Sequence, residues 1–139
     1  MNTEIFLDAA FAIALAAPSD QLHNRAFVLS QRLERDRTVM VTTQAVLLEI
    51  GNALSKRRYR AAAVELLSSL ATDPTIEVIP MSPELYAQAF ELFRDRPDKE
   101  WGLIDCVSFV VMKERGITEA LTADEHFEQA GFRALLSET

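Results

Sequence analysis

Short apolar runs alternate with segments of helical periodicity along the chain. The run Ile5-Phe6-Leu7 ends at Asp8 and is followed by strong helix formers over residues 9–16, which predicts a strand and then a helix. Apolar residues at helical spacing predict a second helix after these, with Ser19 as its N-cap.

The same alternation continues to the end of the chain. Thr43 is a good N-cap for a helix after a predicted strand at residues 38–42, and Ser82 with Pro83 begins a helix that extends to about residue 94. Further strands are predicted at residues 76–79, 118–122 and 132–135, and further helices at residues 60–71, at residues 103–115 and within residues 124–131.

This order of elements predicts an α/β fold. Strands that alternate with helices favour a three-layer sandwich with a short, largely parallel central sheet flanked by helices. The chain of 139 residues suits a single domain over residues 1–139. Sites in such sheets form outside the carboxyl ends of the strands, so the residues just past each strand are the first functional candidates.

The cysteine content and the N-terminus indicate a cytoplasmic protein. The single cysteine, Cys106, has no partner for an internal disulfide, and the chain has no CxxC pair or His/Cys cluster with zinc-site spacing. The N-terminus lacks the basic segment of a secretory signal, and the apolar run at residues 9–17 is too short to cross a bilayer. We therefore expect a reducing compartment and no membrane partner.

The net charge argues against tight, sequence-independent binding to nucleic acid. The chain has 14 Lys and Arg against 21 Asp and Glu, a formal charge of −7. Any contact with phosphates must therefore depend on local charge, which is densest in what we term the basic stretch. It is either a solvated helix end or a surface for RNA phosphates. The basic stretch consists of Lys56, Arg57, Arg58 and Arg60.

Four acidic residues from distant segments are predicted to converge at one edge of the sheet. Asp8 and Asp124 follow the first and fourth strands, Glu49 lies on the helix after the second strand, and Asp105 lies in the first turn of its helix. Such a cluster is tolerable only if protons or a divalent cation neutralise it.

Each of these acids also has an ordinary structural interpretation. Asp8 is a possible N-cap, Asp105 a first-turn acid favoured by the helix dipole, and Asp124 a turn residue. Glu49 is less easily explained, because it lies between apolar neighbours on a helix where an acid needs a partner. Spacing alone leaves the metal site and these local roles both open.

Four segments of the chain contain the four acids, namely residues 5–8 (IFLD), 49–52 (EIGN), 103–109 (LIDCVSF) and 121–127 (LTADEHF). In this order they resemble the motifs of PIN-domain ribonucleases, with the closest likeness to VapC-type toxins of prokaryotic toxin–antitoxin pairs. The resemblance extends over nearly the whole chain.

The resemblance implies an acidic pocket that binds Mg²⁺ or Mn²⁺ and hydrolyses RNA. Asp8 and Asp105 would be the principal metal ligands, Glu49 a further ligand or a holder of metal water, and Asp124 the fourth acid. It also implies an RNA substrate, a cognate antitoxin and a homodimer. Two further positions match polar residues near the family's pocket, Asn52 and Ser108.

One position departs from the family pattern. Ala9 stands where the family commonly has Thr or Ser directly after the first acid, so a hydroxyl that would orient Asp8 is missing. This keeps open a PIN fold without activity that serves as a protein- or RNA-binding module. A receiver-type phosphotransfer domain or a haloacid-type phosphatase is less consistent, since neither paired acids nor an Asp-x-Asp motif follows the first strand.

The remaining chemically capable side chains have structural interpretations. His126 is expected at a helix start or in packing, although it could touch RNA, and His23 is expected to be exposed. Cys106 is predicted to be a small buried hydrophobe, because no histidine is placed to activate it. Trp101 is predicted either in the core or an interface, or stacked on a base beside the pocket.

Overall fold

The computed structural model describes residues 3–138, and a five-stranded sheet lies at the centre of this part of the chain. All four pairs of neighbouring strands are parallel, and the order across the sheet is β3-β2-β1-β4-β5. The predicted α/β class with a parallel central sheet is confirmed. The strands are β1 (Ile5–Leu7), β2 (Met40–Thr43), β3 (Ile76–Ile79), β4 (Glu119–Leu121) and β5 (Arg133–Ala134).

Helices connect the strands and flank the sheet, giving the predicted sandwich. Within residues 3–138 they are α1 (Ala9–Ala16), α2 (His23–Arg35), α3 (Gln44–Ala53), α4 (Arg57–Thr72), α5 (Pro83–Asp95), α6 (Leu103–Arg115) and α7 (Glu125–Gln129), followed by a 3₁₀ turn at Leu135–Ser137. Over this part of the chain, no helix is both long enough and apolar enough to cross a membrane.

The first strand, β1, lies at the centre of the sheet, and later strands are added on both sides of it. From β1 the chain adds β2 and β3 on one side, then crosses to add β4 and β5 on the other. The strand order therefore reverses beside β1, where Phe6 pairs with Ala120 and Leu7 with Leu121. A crevice at such a switch point is where parallel α/β sheets form their sites.

Buried apolar side chains hold the helices on the sheet close to this crevice. Phe6 is fully buried, and its ring lies 6.4 Å from that of Phe127 on α7. Phe109 on α6 makes edge-on contacts, at 5.0 Å between ring centroids, with both Phe127 and Trp101. These aromatic contacts fix α6 and α7 relative to β1, each by apolar packing that excludes water.

Two predicted helix starts are confirmed by their capping hydrogen bonds. The Thr43 hydroxyl accepts a hydrogen bond from the backbone N–H of Val46, and the Ser82 hydroxyl accepts one from Leu85. At the end of α6, Gly116 adopts the left-handed conformation (φ 67°) that terminates helices.

Other local predictions were wrong. Ser19 does not cap α2, which begins at His23, because the Asp20 carboxylate accepts the N–H of Leu22 and forms a turn first. His23 is not simply exposed: it is half-buried, and its Nδ1 lies 2.8 Å from the carbonyl oxygen of Ala14.

Two element boundaries also differ from the prediction. Helix α4 begins at Arg57, three residues earlier than expected, since basic side chains do not prevent helix formation where they remain solvated. Strand β5 has only two residues, because the backbone turns into the 3₁₀ segment at Leu135.

Candidate metal centre

Asp8 lies directly after β1, at the carboxyl end of the strand where the strand order reverses. Its side chain is 9% exposed, and the hydroxyl of Thr122 donates a hydrogen bond of 2.7 Å to its Oδ2. The same Thr122 oxygen accepts the backbone N–H of Asp124 at 3.1 Å. Thr122, just past β4, therefore positions two of the predicted acids and supplies Asp8 with a hydroxyl that Ala9 lacks.

The surroundings of Asp8 oppose its negative charge. Burial raises the pKa of this carboxyl, and the nearby charges of Asp105 and Asp124 raise it further, while the hydrogen bond from Thr122 lowers it. The balance brings the pKa of Asp8 to about 6, well above its ordinary value. The ion-free site thus retains protons near neutral pH.

Glu49, on α3, lies close to the same acidic side chains. This side chain is half-buried, and burial is the main cause that raises its pKa to about 7. The negative charges of Asp8, Asp105 and Asp124 contribute in the same direction. The structure therefore brings all four predicted acids close enough for their charges to interact.

Asp105 and Asp124 form the other side of the centre with a residue that the sequence did not single out as a site residue, His126. The imidazole Nδ1 of His126 lies 3.1 Å from Oδ2 of Asp105 and 3.4 Å from Oδ1 of Asp124. Asp124 also caps α7, since its carboxylate accepts the N–H of His126 at 2.9 Å. His126 was correctly expected at a helix start, but its ring enters the acidic cluster. The available signal was the position of His126 two residues after Asp124, in the first turn of a capped helix.

The two supporting polar residues lie in different settings. Asn52 is exposed on α3, one turn after Glu49. Ser108 is buried on α6, and its hydroxyl donates to the carbonyl oxygen of Ile104 at 3.3 Å. The hydrogen bond of Ser108 is thus made within its own helix, and a role for either residue at the site stays a prediction.

The structure gives Cys106 and Trp101 structural surroundings. Cys106 is fully buried, and burial raises the pKa of its thiol, which opposes nucleophilic reactivity. Trp101 is buried against Phe109, and its indole N–H donates to Oε1 of Gln129 at 3.0 Å. The core interpretation of Trp101 is therefore the one that the structure bears out.

The basic stretch surrounds the start of α4, shortly after the end of α3. All four of its side chains are exposed. The Arg60 guanidinium donates to the carbonyl oxygen of Ser55, and the Arg58 guanidinium lies 4.7 Å from the ring centroid of Tyr59. The stretch therefore lies at an exposed helix start, and contact with RNA phosphates there stays a prediction.

The donor atoms of the centre suit a hard divalent cation. Carboxylate oxygens are the ligands that Mg²⁺ and Mn²⁺ prefer in proteins, and single ligand atoms of Asp105, Asp124 and His126 lie within 4.8 Å of one another. Asp8 and Glu49 supply further oxygens whose mutual repulsion a cation would relieve. The residues present thus fit a divalent metal ion.

Residues 5–133 match the PIN domain family, and the chain belongs to this family. This agrees with the resemblance seen in the four sequence segments. It also favours the nuclease fold over the receiver and haloacid-phosphatase alternatives.

Similarity to a bacterial endonuclease supports membership of the PIN domain family. The chain is 32% identical over 130 residues to the 23S rRNA-specific endonuclease VapC20 of Mycobacterium tuberculosis, covering 92% of this chain and 95% of that protein. The crystal structure of VapC20, described as a sarcin-ricin loop cleaving toxin, superposes with a TM-score of 0.80 at 30% identity, over 92% of this chain and 95% of that one.

A more distant structure shares the fold alone. VapBC2 from Rickettsia felis, solved bound to a DNA fragment from its promoter, matches with a TM-score of 0.66 at 14% identity. The match covers 94% of this chain and 96% of that one.

The raised pKa values predict how the stability of the ion-free protein depends on pH. The folded protein keeps protons on Asp8 and Glu49 up to about pH 6 and 7, whereas the unfolded chain releases them near the ordinary values of 3.8 and 4.5. Raising the pH from about 4 to 8 should therefore lower the free energy of unfolding, measured by urea denaturation in EDTA.

Asp8→Asn should remove the contribution of Asp8 to this slope. We expect the variant to be more stable than the wild type at pH 8 by about 2 kcal/mol and nearly equal to it at pH 4. Asp36→Asn, at an exposed position after α2, is the matched control and should follow the wild type. A wild-type stability that rises over this pH range would contradict the raised pKa values of Asp8 and Glu49.

Proposed function

We propose that this chain is a Mg²⁺- or Mn²⁺-dependent endoribonuclease and the toxin of a prokaryotic toxin–antitoxin pair. The observation that carries the proposal is the meeting of four acids at the switch point of a PIN-domain sheet. Identity of 32% over 92% of the chain with a named 23S rRNA endonuclease supports it. The acids are Asp8, Glu49, Asp105 and Asp124.

The chemistry follows from what each carboxylate does in the crevice. Asp8 and Asp105 would hold the ion, and Glu49 and Asp124 would complete its surroundings through direct or water-mediated contacts. When bound there, the ion supplies charge neutralisation for the phosphorane and lowers the pKa of the attacking water. Thr122 donates a hydrogen bond of 2.7 Å to the Asp8 carboxylate and so helps to orient it.

The hydroxyl of Thr122 favours an active enzyme over a PIN fold that has lost activity. Ala9 removes one possible orienting group after Asp8, and this was the reason to consider a binding module. Thr122 donates to the same carboxylate from β4's end of the crevice. The loss at position 9 therefore leaves Asp8 with a hydrogen-bond donor.

We propose RNA as the substrate, with ribosomal RNA as the first target to test. The relative whose name specifies 23S rRNA covers almost the whole chain. The basic stretch supports RNA binding, since positive charges at the N-terminus of α4 are unfavourable for the helix dipole and no acid lies in the first turn. Phosphates placed there would interact favourably with both the side chains and the helix N–H groups.

We further propose a cognate antitoxin and a homodimer as protein partners, acting in the cytoplasm. One exposed aromatic face supports a protein partner: Tyr86, Phe90 and Phe93 recur at helical spacing on α5 and are about half exposed. An antitoxin segment over the four acids would block access of RNA to them. Light scattering of the purified chain, alone and with the product of its adjoining gene, tests both partners.

The most direct test of the nuclease function is Asp105→Asn. We expect cleavage of 23S rRNA in Mg²⁺ or Mn²⁺ to fall by at least about a hundredfold, because the variant loses a principal ligand of the ion. Cleavage is read by primer extension on total RNA, with Asp36→Asn as the matched control that retains activity.

The same pair of variants separates an enzyme from a binding module in cells. The wild type and Asp36→Asn should arrest growth when expressed alone, while Asp105→Asn should not. Equal growth arrest by the wild type and Asp105→Asn would show that catalysis is not responsible, and the binding-module interpretation would replace the proposal.

The basic stretch predicts a change in the salt dependence of RNA binding. Replacing Lys56, Arg57 and Arg58 with Ala should weaken binding to all RNA sequences and reduce the slope of log K against log salt by about 2, from three lost phosphate contacts. Binding is measured by fluorescence anisotropy with Asp105→Asn as the background, so that the RNA stays intact.

A charge-matched triple variant provides the control for this experiment. Arg32, Arg35 and Lys113 are exposed elsewhere on the surface, and their replacement by Ala changes the net charge equally. If both triple variants reduced the slope by the same amount, net charge alone would account for the effect and the basic stretch would have no specific role.

A further inference from the structure

The imidazole of His126 is held in the acidic centre by the fold. Asp124 accepts the backbone N–H of His126 at 2.9 Å, and the next residue, Phe127, is fully buried against Phe6 and Phe109. The start of α7 therefore has little freedom to rotate. The capping hydrogen bond and the core packing therefore fix the backbone from which the His126 ring enters the acidic centre.

Asp105 and Asp124 both face the same nitrogen of this ring. Nδ1 lies 3.1 Å from the Asp105 carboxylate and 3.4 Å from the Asp124 carboxylate. The Asp105 oxygen that faces the ring already accepts the N–H of Gly102 at 3.1 Å. The carboxylate of Asp105 is thus oriented without His126, so the imidazole is not needed merely to hold it.

The spacing of these atoms fits ligands of one ion. Neighbouring donors around an octahedral ion at about 2.1 to 2.2 Å lie roughly 3 Å apart. The two distances from Nδ1 are close to this value, and the three donor atoms lie within 4.8 Å of one another. His126 thus offers a nitrogen donor at the edge of an oxygen-rich site.

We infer that His126 is a nitrogen ligand of the metal ion in this centre, and that it makes the site prefer Mn²⁺ and later first-row ions to Mg²⁺. Imidazole suits transition metals, whereas Mg²⁺ is bound by oxygen and keeps its waters. The inference rests on the proposed metal-dependent function, because Asp105 and Asp124 supply the oxygens beside this nitrogen. It adds a fifth protein group to the four acids and gives the ion preference a structural cause.

Pulsed electron paramagnetic resonance of Mn²⁺ added to the ion-free full-length protein tests the ligand directly. The wild type should show a ¹⁴N coupling that changes to the ¹⁵N pattern when the protein is labelled with ¹⁵N-histidine. His23→Ala, which removes the other histidine of the chain, should keep the coupling. His126→Ala should lose it while still binding Mn²⁺ through the carboxylates.

Calorimetric titrations with Mn²⁺ and Mg²⁺ at pH 8 test the preference. We expect His126→Ala to weaken Mn²⁺ binding by about tenfold or more and Mg²⁺ binding by much less, so that the ratio of the two affinities falls. His23→Ala should leave this ratio unchanged. Circular dichroism confirms that each variant is folded, and the ¹⁵N-histidine experiment on the wild type needs no substitution.

The possible outcomes separate this inference from the proposed function. If Mn²⁺ binds to the wild type with no histidine coupling, or if the affinity ratio is the same in His126→Ala, His126 is not a ligand and the four-acid metal site stands. If no divalent ion binds to the wild type at all, the metal-dependent function and this inference both fail.

Discussion

The burial of carboxylates close to one another at one edge of a parallel sheet is the constraint on which the site depends. Asp8 is nearly buried, and its pKa of about 6, like the pKa of about 7 for Glu49, reflects an environment that opposes negative charge. Like charges brought into one crevice destabilise a fold unless something positive joins them. Binding of a cation at this site should therefore stabilise the folded protein.

The fold imposes this arrangement through its topology. Because β1 lies in the middle of the sheet and pairs with β4, Asp8 and Asp124 emerge side by side at the carboxyl ends of adjacent strands. The packing of Phe109 against Phe127 then holds α6, which carries Asp105, against α7. Apolar burial away from the site therefore helps to offset the free-energy cost of bringing the acids together.

The sequence predicted the parts of the structure that local patterns determine. Apolar alternation identified the strands, and the capping residues Thr43 and Ser82 identified two helix starts, because each is a short-range effect. The carboxyl ends of parallel strands lie at the same edge of the sheet, and this rule predicted that Asp8 and Asp124 lie close together. The resemblance to the four family motifs predicted that Glu49 and Asp105 belong to the same site.

The remaining features depend on side-chain direction, which spacing does not reveal. Thr122 and His126 lie within a recognised motif, yet only the fold shows that the hydroxyl of Thr122 reaches Asp8 and the ring of His126 reaches Asp105. Ser19 failed as a cap because Asp20, one residue later, made the competing turn. These contacts lie in turns, just past strand ends and in the first turns of helices, where several local solutions have similar energies.

The measurement that tests the central claim most directly is the number of protons released when a divalent ion binds, obtained by calorimetry in buffers of different ionisation enthalpy. At pH 6.5, pKa values of about 6 and 7 leave roughly a quarter of Asp8 and three quarters of Glu49 protonated. Binding of Mg²⁺ should then release about one proton at pH 6.5 and almost none at pH 8.5, and Glu49→Gln should lose most of this release. Ion binding without proton release at pH 6.5, or a release unaffected by Glu49→Gln, would contradict the account of a carboxylate cluster neutralised by the ion.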